Sequence, residues 1–294
     1  MADSRVLVAG PYVGEFGWEC FGWQPLVRGE FYSKGYPKCV VYTRPGHRLM
    51  YRFADEVRTL SDIPAHESEC MAWADLPSSM ADLNNAMSRV KDEAVAEFGE
   101  NGFVLLNYTS LKKLNDPHYG AGYPDLLYPD DGWEDRMGHS TGFGAVNGPL
   151  VLAVRDRSMA DHRNWPYENW YRLAELLVQN HTVVVVGIVR EPEKWKAWPD
   201  GGVVNLLNRT TVDDLIGLCS RAEAVVGGSS GTMHLASRCG ADHLVWGAEH
   251  STIFPLTHRY AETNWFGARC RVLTQDAWSP DPMAVKLAVE EFTR

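Results

Sequence analysis

Thr182 to Gly187 holds four consecutive valines. A strand that never alternates with polar residues must be covered on both faces, which is the condition of a parallel sheet flanked by helices. Leu150 to Val154 is a second continuous apolar run of this kind. Between and after them the pattern alternates: a helix from about Tyr167 to Asn180, a strand at Val203–Leu206, and a helix over Val212–Ser220. A strand at Ala224–Val226, a helix from Gly231 to Cys239, a strand at Leu244–Trp246 and a closing helix over Met283–Arg294 complete the half. Strand alternating with helix specifies an α/β doubly wound domain.

The first half repeats the theme less clearly. Strands are expected at Arg5–Gly10, Lys38–Thr43 and Phe103–Thr109. A Gly-rich turn (Gly14, Gly17, Gly22) leads into an apolar helix, and Ser78–Phe98 has helical spacing without proline. Residues Asn115–Gly148 are rich in Gly, Pro, Asp and Tyr and read as a long loop. A chain of 294 residues exceeds the size of one core, so two Rossmann-like domains are expected, 1–148 and 149–294, facing a cleft at their strand ends.

Bulk properties narrow the class. The six cysteines show no CxxC pair, so neither a zinc site nor a disulfide scaffold is expected, and a cytoplasmic location fits them. The N-terminus runs into a strand without a signal-peptide core, and no apolar stretch is long enough to span a bilayer. The net charge of −10 argues against a surface built to grip nucleic acid, though a local basic cleft remains compatible with it.

The segment Ala224-Val-Val-Gly-Gly-Ser-Ser-Gly-Thr-Met-His-Leu-Ala-Ser237 carries the clearest chemistry. A buried strand ends in glycines, two serines follow, and Gly231 opens a helix. Amides at that helix start, with hydroxyls from Ser229, Ser230 and Thr232, suit a diphosphate. A serine N-cap beside a tight glycine turn gives the same pattern. There is no Asp-x-Asp, HExxH, Cys/His cluster or GxxxxGK[ST], so no metal and no cofactor is expected.

With Arg163-Asn-Trp-Pro-Tyr-Glu-Asn-Trp170 before it, Val204-Asn-Leu206 between, and Trp246-Gly247 after it, this order of motifs resembles the nucleotide-binding domain of the heptosyltransferase-like glycosyltransferases, family 9, of GT-B fold. The resemblance spans roughly residues 150–260. It implies that Arg163 and Ser158 contact a donor diphosphate with Ser230, Gly231 and Thr232, and that His234 is the histidine of the phosphate turn. Arg155 and Arg157 share the Arg163 loop and serve equally well as surface ion-pair residues; Arg163 stands first among the three. Glu191, or Glu193 in its place, is a candidate for the ribose hydroxyls. Ser229 stands where the family has Asp, which points to a different donor.

In the first half, the family loop implies a carboxylate base. Glu15 follows a glycine, and Glu19 has the family spacing to Pro25; either fits, the other being a helix-start carboxylate. The resemblance therefore implies an inverting, metal-independent glycosyltransferase with a nucleotide-sugar donor, a saccharide or other hydroxyl acceptor, and 1–148 as the acceptor half. Departures in the first half admit a second acceptor, a hydroxymethylated base of phage DNA, with Arg44, His47, Arg48, Arg52, Lys112 and Lys113 lining a cleft. A sugar-nucleotide-binding protein without transfer, or a GT-B epimerase, are the alternatives of other classes.

Overall fold

A computed structural model of the chain describes residues 4–12, 14–61, 80–107, 126–141, 148–158, 160–249, 255–262 and 266–293. The chain divides into two compact units, Met1–Asp125 and Leu126–Arg294.

In the first unit, β1 (Val6–Ala9), β2 (Cys39–Thr43), β3 (Glu56–Thr59) and β4 (Phe103–Leu106) form a sheet in the order β3-β2-β1-β4, every pair parallel. Between β1 and β2 run α1 (Phe16–Trp18), a π-helical turn (Glu19–Trp23) and α2 (Gln24–Lys34), which stops at Gly35 with a left-handed φ of 66°. Only a residue without a Cβ takes that conformation at little cost. A wider turn re-aims the side chains on its face, and here it buries Glu19, Cys20 and Trp23 together. Helix α3 (Met80–Phe98) lays Ala86, Val90 and Ala94, four residues apart, against Val8, Val40 and Tyr42.

The second unit begins with α4 (Trp133–Thr141) and holds β5 (Leu150–Ala153), β6 (Val183–Val186), β7 (Val203–Asn205), β8 (Ala224–Gly228), β9 (His243–Trp246) and β10 (Cys270–Leu273). These form one parallel sheet in the order β10-β9-β8-β5-β6-β7. Helices α5 (Tyr167–Leu177), α6 (Val212–Arg221), α7 (Gly231–Arg238) and α8 (Pro282–Thr293) complete it. The core of one face joins Leu150, Leu152, Val183, Val185, Val226 and Leu244 to Leu173 and Leu177 of α5 and Val285 and Val289 of α8. Trp165, Trp170 and Trp246 meet there with ring centroids 4.9 to 5.4 Å apart. Each such side chain taken from water contributes about 1.5–3 kcal/mol. The doubly wound parallel class is thus the observed one.

Three elements depart from the sequence reading. β3 and β10 are edge strands whose half-exposed, mixed sequences give no continuous apolar run. The third is α4, inside the stretch read as loop. Its Trp133 lies over α6, where a Cβ on Gly217 would come within 2.0 Å of the indole. Arg221 lies over that ring, 4.7 Å from its centre, and pairs with Glu134 at 2.9 Å. These contacts explain why residues ahead of Pro149 cluster with the second unit. Among the described residues no helix is long and apolar enough to cross a membrane.

Gly217→Val should expel Trp133 from α6 and lower stability by about 1–3 kcal/mol, the usual effect of overpacking. Urea unfolding followed by tryptophan fluorescence reads this, and an unshifted midpoint would show that Trp133 does not hold α4 in place.

Candidate functional site

In the second sheet, the strands that follow β5 in sequence, β6 and β7, lie to one side of it, and β8, β9 and β10 lie to the other. The reversal falls between β5 and β8, and in open α/β sheets ligands bind outside the carboxyl ends of the strands at such a point. Two loops emerge there: residues 154–164 after β5, and Ser229–Ser230 after β8, leading into α7.

The β8 loop is close-packed from below. A Cβ on Gly227 would lie 2.8 Å from the Ala153 carbonyl oxygen and 3.1 Å from Met233 Sδ, so only glycine lets β8 and α7 sit this near β5. Ser229 N–H donates to the Trp246 carbonyl at 2.8 Å, which fixes the turn to β9. Ser230 occupies the N-cap position of α7 in an extended conformation, yet its side chain makes no capping bond. The helix-start amides of Gly231 and Thr232, both half-buried, therefore head α7 without a serine cap over them.

Arg163, on a short turn (Asp161–Arg163), is brought to the same place. Its Nη2 donates to the Ser229 carbonyl, and its guanidinium lies 4.5 Å from the centre of the Trp278 ring. The β5 loop that carries it is organised by Asn164. The Oδ1 of Asn164 accepts from Arg155 Nη1 and from the Arg157 N–H, and its Nδ2 donates to the Arg157 carbonyl at 2.7 Å. Arg155 also donates to the Ala160 carbonyl at 3.1 Å and is only 7% exposed. It holds the loop from within, through Ala160 and Asn164. Ser158 is exposed on this loop. Glu191 lies on the surface after β6 and pairs with Lys194 at 2.6 Å, while Glu193 pairs with Lys196.

Two residues at the site have no counterpart in the sequence reading. Trp278, beyond β10, is the platform under Arg163. Tyr260, on a π-helical turn (His258–Glu262), is fully buried, and its hydroxyl lies 3.1 Å from Ser229 Oγ, 3.3 Å from the Ser230 carbonyl and 3.2 Å from His234 Nε2. Its ring stacks on His234 at 4.5 Å with 11° between planes. No spacing or composition signals either residue, because each meets the turn only through tertiary packing. The surroundings also set charge. Burial, then Arg259, His243 and Arg163, push the His234 imidazole down to about 3, so it is neutral near neutral pH. Burial likewise raises the Tyr260 phenol to about 12, so it remains a hydroxyl.

In the first unit, Glu15 is half-buried at the start of α1, and it makes no side-chain capping bond. Glu19 is completely enclosed. Arg44 Nη2 and His47 Nδ1 each lie 3.0 Å from its Oε2, and Tyr51 donates to Oε1 at 2.7 Å. Burial alone would raise this carboxyl, but His47 and Arg44, with the Tyr51 hydrogen bond, bring it down to about 2. A carboxylate so weakly basic, with no exposed surface, is ill placed to receive an acceptor proton. Arg44 and His47 are each 2% exposed, so they do not line a surface cleft. Of the other cations grouped with them, Arg48 and Arg52 are exposed, and Lys112 and Lys113 lie outside the described residues. Among the described residues there is no group of three or more His, Cys, Asp or Glu that would hold a metal ion.

Because folding lowers the Glu19 pKa, its stabilising contribution is complete above the ordinary carboxylate value of about 4.5 and is lost as pH falls toward about 2. Glu19→Gln should therefore flatten the acid-unfolding curve across that window; identical curves would show that Glu19 is not held as an ion. Tyr260→Phe should lower stability by about 1–3 kcal/mol by leaving buried polar partners unsatisfied, as denaturant titration would show. No loss would place the Tyr260 hydroxyl outside the turn.

Residues 128–244 match the family model of glycosyltransferase family 9 (heptosyltransferase). No curated protein matches the chain in sequence. Among solved structures, the chain is similar to Escherichia coli ADP-heptose LPS heptosyltransferase II, at 14% identity and a TM-score of 0.62, with 98% of each chain covered. A glycosyl transferase family 9 protein from Veillonella parvula DSM 2008 superposes with a TM-score of 0.65 at 12% identity, over 100% of this chain and 93% of that one. E. coli heptosyltransferase WaaC, solved with ADP-2-deoxy-2-fluoro heptose, gives 0.56 at 15% identity, with 98% and 99% covered. With a parallel-sheet α/β fold of GT-B type in both units and a family 9 match over residues 128–244, the chain is a glycosyltransferase.

Proposed function

We propose that the chain transfers a sugar from a nucleoside-diphosphate sugar to an acceptor hydroxyl, with inversion and without a metal. The second unit holds the donor, and Glu15 of the first takes the acceptor proton. One observation carries the donor assignment: Arg163 is joined to the Ser229–Ser230 turn at the head of α7, at the strand-order reversal of the second sheet.

The chemistry follows from that placement. When the anomeric bond breaks, negative charge gathers on the departing diphosphate. A guanidinium and the amino-terminal end of a helix, fixed beforehand, stabilise that charge without rearranging. The Thr232 and Ser230 hydroxyls add neutral donors, and a neutral His234 neither repels nor neutralises the Arg163 cation. Inversion requires attack from the face opposite the leaving group, so the base belongs to different residues from those that hold the diphosphate. Glu15 is favoured over Glu19 because Glu19 is already saturated by Arg44, His47 and Tyr51. The ADP-sugar donors named for the similar enzymes make ADP the first nucleotide to test. Ser229, in place of the family Asp, turns its hydroxyl to Tyr260 and presents no carboxylate, which supports a donor sugar of a different kind.

Arg163→Ala should weaken nucleoside-diphosphate binding by about 1.5–3 kcal/mol, a roughly tenfold to 150-fold rise in Kd by calorimetry. Unchanged affinity would remove Arg163 from the donor site. Glu15→Gln should abolish transfer while Kd for the nucleotide stays fixed, and a chelator should leave wild-type turnover intact. Normal turnover in Glu15→Gln would move the base elsewhere, and inhibition by chelator would defeat the metal-free mechanism. Product mass separates the other classes: an epimerase returns an isomer of the donor, and a sensor releases no nucleoside diphosphate.

A further inference from the structure

We infer that Arg44 is a positioning residue, which uses the buried Glu19 carboxylate as an anchor to hold the loop bearing Glu15. The inference rests on the reading of Glu15 as the base. It starts from an energetic oddity, since a fully enclosed ion pair seldom stabilises a fold more than apolar residues of the same size would. Glu19 and Arg44 form such a pair at 3.0 Å, with 0% and 2% of their side chains exposed. What distinguishes the pair is where its remaining bond goes. The same Nη2 of Arg44 that meets Glu19 donates to the backbone carbonyl of Gly14 at 2.8 Å, one residue before Glu15.

The residues beyond β2 fix Glu19, through Tyr51 at 2.7 Å and His47 at 3.0 Å. Glu19 fixes the guanidinium, and the guanidinium fixes Gly14. A second link acts beside it: the Tyr12 hydroxyl donates to the Glu15 carbonyl at 3.3 Å, and the Tyr12 ring is stacked on the buried Trp23 at 5.8 Å. Gly14 itself has no room for a side chain, because a Cβ would lie 2.5 Å from the Tyr12 hydroxyl oxygen. Two successive carbonyls, Gly14 and Glu15, are thus held by side chains from elsewhere in the unit. A base must sit within hydrogen-bond reach of the proton it removes, and a misplacement of 1 Å costs on the order of 100-fold in rate.

The test compares Arg44→Met/Glu19→Gln, which removes both buried charges together, with Arg44→Lys, Glu15→Gln and the wild-type chain. Each is measured for melting temperature, nucleotide Kd, and kcat and KM for transfer. The expected result for the double variant is a kcat at least tenfold lower, with nucleotide Kd unchanged and acceptor KM altered far less than kcat. Arg44→Lys, which keeps the ion pair, should retain a kcat between the two. A folded double variant with wild-type kcat would overturn the inference. So would a kcat in Arg44→Lys that follows the loss of melting temperature alone. If the double variant does not fold, Arg44→Lys decides: wild-type kcat overturns the inference, and a lowered kcat at an unchanged melting temperature upholds it. Failure of the underlying reading shows separately, as normal turnover in Glu15→Gln.

Discussion

The hydrogen bond from Arg163 to the Ser229 carbonyl is the constraint on which the second unit's site depends. It joins the loops of β5 and β8, strands that are neighbours in the sheet though more than 70 residues apart in the chain. A long cationic side chain would ordinarily sample many rotamers. Here a carbonyl at its tip and an indole face at 4.5 Å restrict it, so the proposed binding of a donor diphosphate would need little further ordering. The glycine at 227 and the bond from Ser229 to Trp246 keep that carbonyl itself in place.

The two units fix their loops by different physics. In the second, the Arg163 guanidinium aside, the turn is held by aromatic rings and neutral hydrogen bonds: Tyr260 reaches Ser229, Ser230 and His234, and the three-tryptophan cluster beneath is apolar. In the first, a carboxylate and a guanidinium are sealed from water, with Tyr51 and His47 completing the carboxylate's bonds. Under the proposed function, with a diphosphate in the second unit and a carboxylate base in the first, the distinction fits the charge each site must tolerate. Beside a bound diphosphate, another fixed carboxylate would repel the ligand, and neutral partners do not. A loop that carries a carboxylate base is better steadied through its backbone, which leaves the side chain's own charge to be set by its surroundings.

Electrostatic tuning reinforces this. Arg259, His243 and Arg163 all disfavour a proton on His234, and burial disfavours it more. Burial and these neighbours keep the imidazole neutral. Glu19 shows the converse: burial opposes its charge, yet its His47 and Arg44 neighbours prevail.

The sequence by itself determined the class of fold. Runs such as the four valines of β6 are stable only when covered on both faces, and glycines and serines between β8 and α7 announce a tight, amide-rich turn. It also placed Arg163 and the turn residues as candidates, because the chemistry of a phosphate site is local in residue type. It did not show β3, β10 or α4, whose half-exposed or isolated apolar positions leave no periodic trace. Nor did it separate Glu15 from Glu19, or show that Arg155 is buried within its loop while Arg163 reaches the β8 turn. Those pairs are alike in type and near in sequence, and what distinguishes them is how deeply each is buried and which partners it meets. Only tertiary structure decides that, because burial and pairing arise between segments distant along the chain: Arg44 with Gly14 and Glu19, Tyr260 with Ser229 and His234, Trp278 with Arg163.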